Sequence, residues 1–150
     1  MKTVRKVFAY LIRDNKILVF KHLDHPDAGI QVPAGTVEEN ESIEHAILRE
    51  VEEETNLSKC KIVQFLGEKE FYSEKYNELH IRHFFELSSD DPKFYLETWQ
   101  HGETKSDFHM TEIDRQYGMI RYSFFWLSKH EASQSLVYQH GDFLDFVLND

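Results

Sequence analysis

Glu50, Glu53 and Glu54 fall at positions i, i+3 and i+4, the spacing that puts side chains on one face of a helix. Carboxylates gathered in this way repel one another unless a cation is part of the arrangement. Hard divalent ions such as Mg2+ take oxygen ligands and commonly pair protein carboxylates with substrate phosphates, and Mn2+ accepts the same donors. Arg49 lies four residues before Glu53, close enough to hold a carboxylate by a bidentate contact. Glu41, at the other end of the segment, is placed to reach Arg49, or a cation through water. The chemistry these residues could do is to hold a divalent cation against a phosphate.

The plainer alternative is a solvated acidic helix face, the usual meaning of a surface charge run. Two features weigh against it. Gly35 to Leu57 holds eight glutamates and a single arginine, with no lysine, so the i,i+4 salt-bridge lacing of a merely soluble helix is missing. The helix also follows directly on a strand and a glycine turn, where backbone carbonyls can join a cation site.

The segment resembles the Nudix box: Gly, five residues, Glu, seven residues, then Arg-Glu-U-x-Glu-Glu-x-Gly-U, with U a bulky aliphatic residue. Gly35, Glu41, Arg49, Glu50, Val51, Glu53, Glu54 and Leu57 all fall on it. Asn56 stands where the family usually has Gly; that residue ends the helix in a left-handed conformation, for which Asn is the next most tolerant type. The resemblance implies an α/β fold, the Nudix-type α/β/α sandwich built on a mixed β-sheet, and extends over the whole chain as a single Nudix hydrolase domain, residues 1–150. It implies metal-dependent hydrolysis of a pyrophosphate bond in a nucleoside diphosphate derivative: a nucleoside triphosphate, a dinucleoside polyphosphate or a nucleotide sugar. By position, Glu50 and Glu54 are the first candidates for metal ligands, with Glu53 assisting and the Gly35 carbonyl added by the resemblance. Arg49 would orient the carboxylates, supported by Glu41. The general base is left open between Glu50 and Glu53 inside the box and a later glutamate such as Glu97, Glu103 or Glu112.

These residues need elements to position them. Val4 to Arg13 and Ile17 to His22 are β-rich runs separated by a turn at "DNK". "HLDHPDAG" reads as a loop, and "IQVPAG" as a short strand entering a turn at Gly35. From Ser42 to Thr55 the period becomes helical, with Ile43, Ala46, Ile47 and Val51 as the apolar stripe. "CKIVQFLGEKEFY" and "ELHIRHFFEL" read as long strands, "SSDDPK" as a turn and "FYLETW" as a further strand. Gln100 to Arg121 is polar and mixed and reads as irregular, a candidate specificity insert. "RYSFFWL" is a buried strand, "SKHE" a capping box, and a terminal helix carries Leu136, Phe143, Leu144 and Val147.

The 150 residues fit one domain, with no internal repeat, low-complexity linker or apolar run of membrane-spanning length. The start, "MKTVRKVFAYLIRD", is charged and then alternating, and reads as a strand rather than a signal peptide. One cysteine excludes an intramolecular disulfide and a Cys-rich zinc site and fits a cytoplasmic setting. The formal net charge of −10 argues against a nucleic-acid polymer as partner; a small-molecule nucleotide is compatible with it, because bound cations reverse the local field. The composition is silent on oligomeric state.

Other groups weigh less. His22 and His25 could chelate but lack a third ligand at metal spacing; His80 and His83, three apart in a strand, face opposite sides. Cys60 has no evident activating partner and reads as a small core residue. Phe71, Tyr72, Tyr76, Tyr95 and Trp99 could stack on a nucleobase, although most aromatics are core. Tyr72 stands about where some dinucleoside polyphosphate hydrolases of the family carry a tyrosine. The proline associated with ADP-ribose pyrophosphatases is not found there, which disfavours that substrate. Two further readings stand beside the leading one: a non-catalytic Nudix module that binds a nucleotide as sensor or regulator, and an enzyme acting on a non-nucleotide diphosphate.

Overall fold

The alternation in KTVRKVFAYLIR places Val7, Ala9 and Leu11 on one face and Phe8 and Tyr10 on the other, all buried, as a strand covered on both sides requires. In the computed structural model, which describes residues 1–105 and 109–150, this run is strand β1 (Lys2–Arg13). Asp14 and Asn15 then take positive φ, 50° and 58°, the twist a tight hairpin needs, and lead into β2 (Lys16–His22). The hairpin is short-lived: β1 and β2 pair only at Ile12–Ile17 and Arg13–Lys16. Beyond that point β1 is joined by β3 (Ala34–Thr36), whereas β2 pairs with β7 (Ile120–Leu127). The two halves of the sheet diverge, and a cleft opens between them.

The remaining strands are β4 (Cys60–Ser73), β5 (Glu78–Ser89) and β6 (Trp99–Glu103). The order is β4-β5-β1-β2-β7-β6, with β3 alongside β1. The β1–β5 pair is parallel and the other pairs antiparallel, so the sheet is mixed. Helix α1 (Ile43–Thr55) covers one face through Ala46, Ile47 and Val51, packed with Val7, Ala9 and Leu11. Helix α3 (Lys129–Ser135) and the chain after it cover the other, setting Ala132, Phe143 and Leu144 against Phe8, Tyr10 and Phe84. Ser42 caps α1 by accepting the His45 N–H at 3.1 Å, and Asn56 closes it with φ 63°, the left-handed conformation expected of the residue in glycine's place. No helix among the described residues is long and apolar enough to cross a membrane.

Four local expectations are corrected. "FYLETW" is not a strand: Pro92 removes an N–H and Asp91 accepts the Lys93 N–H, which curls Pro92–Tyr95 into a 3-10 turn. Gln100–Arg121 is more regular than its polarity suggests, with β6 at its start and α2 (Glu112–Tyr117), opened by a Thr111–Asp114 capping box, near its end; residues 106–108 of that segment lie outside those described. Gly35 sits inside β3 rather than in a turn. The terminal helix stops at Ser135, because Leu136 pairs with Ile30 and Val137 donates to the Ile30 carbonyl, extending the chain where a helix would have continued.

The turns that follow are anchored by His140, whose Nδ1 accepts the Val32 N–H at 3.1 Å and whose carbonyl accepts from the Tyr10 hydroxyl. Burial, with Arg82 nearby, lowers its pKa from 6.5 to about 3. The unfolded chain therefore binds a proton that the native state refuses, so the contribution is full above pH 6.5 and is lost as pH falls towards about 3. We expect thermal melts from pH 7 to 4 to show this loss, at up to about 1.4 kcal/mol per pH unit. His140→Asn, which keeps an acceptor near the Val32 N–H, is expected to flatten that part of the profile.

Candidate active site

β3 brings Gly35 under the carboxylate of Glu50: a Cβ on Gly35 would lie 2.0 Å from the Glu50 carboxyl carbon. Glu54, one turn on, accepts the Ala34 N–H at 3.1 Å. Both carboxylates are buried, with residue exposures of 8% and 6%, and both line the cleft between the diverging halves of the sheet, about 790 Å3 in volume. A side chain at position 35 must push Glu50 aside, and the far end of a glutamate can move. Gly35→Ala is therefore expected to melt within a few degrees of the parent, yet to lose turnover by about tenfold or more because Glu50 is displaced. Circular dichroism melts and steady-state rates on the same preparations check this.

Arg49 organises the acids around it. Its Nε and Nη2 donate to the two oxygens of Glu41 at 2.7 and 2.8 Å, its Nη1 to Glu50 at 2.9 Å and Glu53 at 3.2 Å, and Nη2 again to the Thr36 carbonyl at 3.1 Å. His45 adds a 2.6 Å contact to Glu41. The guanidinium holds the Glu41 carboxyl well below the usual carboxylate range. Glu50 is pushed the other way, chiefly by burial and against the pull of Arg49. Glu54 is raised too, by burial and then by the charge of Glu103, and among the described residues it has no ion-pair partner.

Glu50 and Glu54 offer carboxylate oxygens to the cleft, the donors that suit a hard divalent cation. A buried acid without a cationic partner, and a glycine that leaves room only for a neighbouring carboxylate, both fit such an ion. Among the described residues no group of three or more His, Cys, Asp or Glu side chains is already arranged to hold one. An ion here would draw on backbone and phosphate oxygens as well.

The other candidates are dispersed. Of the later glutamates, Glu103 stands beside Glu54, accepting from the Tyr122 hydroxyl at 3.1 Å. Glu97 lies against Arg13 at 3.5 Å, and Glu112 is exposed in the first turn of α2. Tyr72 donates to Asn77 at 2.7 Å and is not on the cleft wall, which carries Phe71 and Tyr76 instead. Trp99 donates to the Thr55 carbonyl at 2.9 Å and stacks on Phe124, and Tyr95 is exposed. His25 binds Asp114 at 2.9 Å; His80 faces the cleft, whereas His83 packs beside Phe65. Burial pushes the Cys60 thiol up to about 11, away from nucleophilic use. The sequence reading missed Lys6, Arg82 and Lys105, three cations on the cleft wall. Nothing in the sequence sets them apart from the other charged residues in or beside their strands, such as Lys2 and Arg5 on β1 or Glu78 and Glu86 on β5.

A mixed sheet between helices, with a glycine strand and an acidic helix facing one cleft, defines an α/β protein of the kind seen among NUDIX and MutT hydrolases. The chain matches the model of the NUDIX domain over residues 2–143, and it belongs to that family. Among solved structures, MutT NUDIX hydrolase from Burkholderia pseudomallei is similar with a TM-score of 0.64 at 20% identity, covering 97% of this chain and 98% of that one. The E. coli ORF135 protein gives 0.61 at 23%, covering 97% and 88%, and a UDP-X diphosphatase gives 0.64 at 17%, covering 98% and 63%. At these identities the likeness is one of fold. ADP-ribose pyrophosphatase of Methanocaldococcus jannaschii is 43% identical over 56 residues, 37% of this chain and 32% of the relative, so the match spans about a third of that protein's length.

Proposed function

We propose that the protein is a metal-dependent hydrolase, one domain over residues 1–150, that cleaves a pyrophosphate bond in a nucleoside diphosphate derivative in a cytoplasmic setting. The observation that carries this reading is the buried Glu54 carboxylate, unpaired among the described residues, beside Glu50 in a cleft large enough for a nucleotide. Glu50 and Glu54 would hold Mg2+ or Mn2+, with Glu53 assisting and the Gly35 carbonyl contributing. Such an ion, when bound, neutralises charge on the phosphate oxygens and acidifies water.

The chain's own residues do the rest. Arg49 fixes Glu50 and Glu53 in orientation. Glu103, raised on β6 next to Glu54, joins Glu50 and Glu53 as a candidate for taking the proton from the attacking water. Lys105 lies 3.6 Å from Glu103 and faces the same cleft, where its charge favours an anionic substrate. The relatives' names, an ADP-ribose pyrophosphatase and a UDP-X diphosphatase, belong to the same reaction class. The local match to the former places ADP-ribose in the substrate panel, although the proline pattern disfavours it.

The test is a mass-spectrometric product screen over nucleoside triphosphates, nucleotide sugars, ADP-ribose and dinucleoside polyphosphates, with Mg2+ and with chelator. Cleavage at a pyrophosphate linkage that needs the cation and is lost in Glu54→Gln is the expected result. Tight nucleotide binding with no cleavage anywhere in the panel would overturn it in favour of a sensing module.

A further inference from the structure

Lys6, Arg82 and Lys69 stand side by side across three strands. Lys6 on β1 is the register partner of Arg82 on β5, and Arg82 is the partner of Lys69 on β4; on its other side Lys6 is opposite Thr36 of β3. Register partners share a face of the sheet, and strands lie about 4.8 Å apart, so the row from Thr36 to Lys69 spans roughly 14 Å. Like charges directly opposite one another destabilise a sheet. In a chain of net charge −10 such a row calls for an explanation.

The usual explanation, cross-strand pairing with acids, does not hold at its centre. Lys69 reaches Asp142 at 3.9 Å, but among the described residues neither Lys6 nor Arg82 has an ion-pair partner within 4.0 Å. The carboxylates whose charges act on Lys6 are Glu78 and Glu50. Glu78 is bound to His80 at 3.0 Å, and Glu50 is held by Arg49. Among the described residues the Lys6 ammonium donates to the Thr36 hydroxyl at 2.6 Å. Arg82 is fixed without neutralisation: its guanidinium lies 4.4 Å from the Phe71 ring centre and 5.1 Å from that of Phe8, and donates to the Tyr138 carbonyl at 3.1 Å. Its buried Nε has no acceptor among the described residues. Both side chains line the cleft that holds Glu50 and Glu54, and Thr36 adjoins Gly35, on which the Glu50 carboxylate rests.

Resting on the hydrolase reading above, we propose that Lys6 and Arg82 seat a phosphate beyond the bond that is cleaved, and that the protein selects substrates with three or more consecutive phosphates. Lys6 lines the cleft near enough to Glu50 for that charge to act on it, and Arg82 lies one strand further on. A phosphate chain leaving the cleavage point along this row meets a compact ammonium and then a rigid guanidinium fork, the donors suited to phosphate oxygens. A substrate whose only phosphates are the pair being split would leave this seat empty.

The test uses inorganic tripolyphosphate and pyrophosphate in calorimetric titrations of the full chain, in chelator and at low ionic strength. Wild type is expected to bind tripolyphosphate at least tenfold more tightly than pyrophosphate. Lys6→Gln is expected to erase most of that preference while melting at or above the wild-type temperature, since it relieves the repulsion from Arg82. Arg82→Gln should erase it too, at some cost in stability from the lost stacking on Phe71 and Phe8. Glu54→Gln should bind tripolyphosphate at least as well as wild type. Equal binding of the two anions by wild type, or an unchanged preference in Lys6→Gln, would overturn the seat. The two proposals fail differently: this binding pattern without hydrolysis of any nucleotide would remove the hydrolase and keep the seat. Hydrolysis of nucleotide sugars and triphosphates at rates indifferent to Lys6→Gln would remove the seat and keep the hydrolase.

Discussion

Glu54→Gln is expected to lower kcat by a factor of about 100 to 10,000, the equivalent of the several kcal/mol of charge stabilisation that a bound cation supplies, while leaving the fold intact. Gln has nearly the shape of Glu, and its side-chain oxygen can still accept the Ala34 N–H. What it removes is a charge buried at 6% exposure and pushed on by Glu103 and Glu50. In chelator the variant should therefore melt at or above the wild-type temperature. A ligand that binds only the native state raises its stability, so millimolar Mg2+ should raise the melting temperature of wild type and not of the variant. Glu50→Gln should behave alike in turnover. It also turns the Arg49–Glu50 ion pair at 2.9 Å into a hydrogen bond to a neutral amide oxygen, so its metal-free melting temperature should gain less. Turnover within a few-fold of wild type for both variants would remove the pair from the reaction.

The acidic helix was legible because its information is local. The i, i+3, i+4 spacing of Glu50, Glu53 and Glu54 and the apolar stripe of Ala46, Ile47 and Val51 all lie within a few turns of one element. The same holds for the "SKHE" box and the β1–β2 turn. Failures arose where distant partners decide. Leu136 leaves the helical path because Ile30 is there to pair with it, and nothing near Leu136 in the chain announces Ile30. Glu97, Glu103 and Glu112 were equivalent as letters; only the pairing of β6 with β7 sets Glu103 beside Glu54 and leaves the other two elsewhere. Lys6 and Arg82, 76 positions apart in the chain, become neighbours through the parallel β1–β5 register. Parallel pairing needs a long crossover, and its register leaves no mark in either strand alone.

Arg49→Ala and Arg49→Lys are expected to separate the two duties of this residue. The guanidinium has five N–H donors, and the contacts to Glu41, Glu50, Glu53 and the Thr36 carbonyl engage all of them. The Glu41 side chain is only 6% exposed. Removing the cation leaves Glu50 buried without its ion-pair partner, and Glu41 with the His45 ring and the Glu38 N–H as its remaining contacts among the described residues, a loss of about 3 kcal/mol, the lower end for broken buried pairs. For a chain of this size that corresponds to a fall in melting temperature of roughly 6–12 °C. Lysine restores the positive charge and so should recover a good part of that stability. Its compact ammonium cannot span acceptors arranged around a planar fork, so Glu50 and Glu53 would stay misplaced. Turnover of Arg49→Lys should remain lowered by about 10- to 100-fold, the usual effect of losing a residue that orients ligands without being one. Melting curves and kcat on the pair decide the matter. If lysine restores both stability and turnover, Arg49 acts as a charge alone; if it restores the first and not the second, geometry is what the arginine supplies.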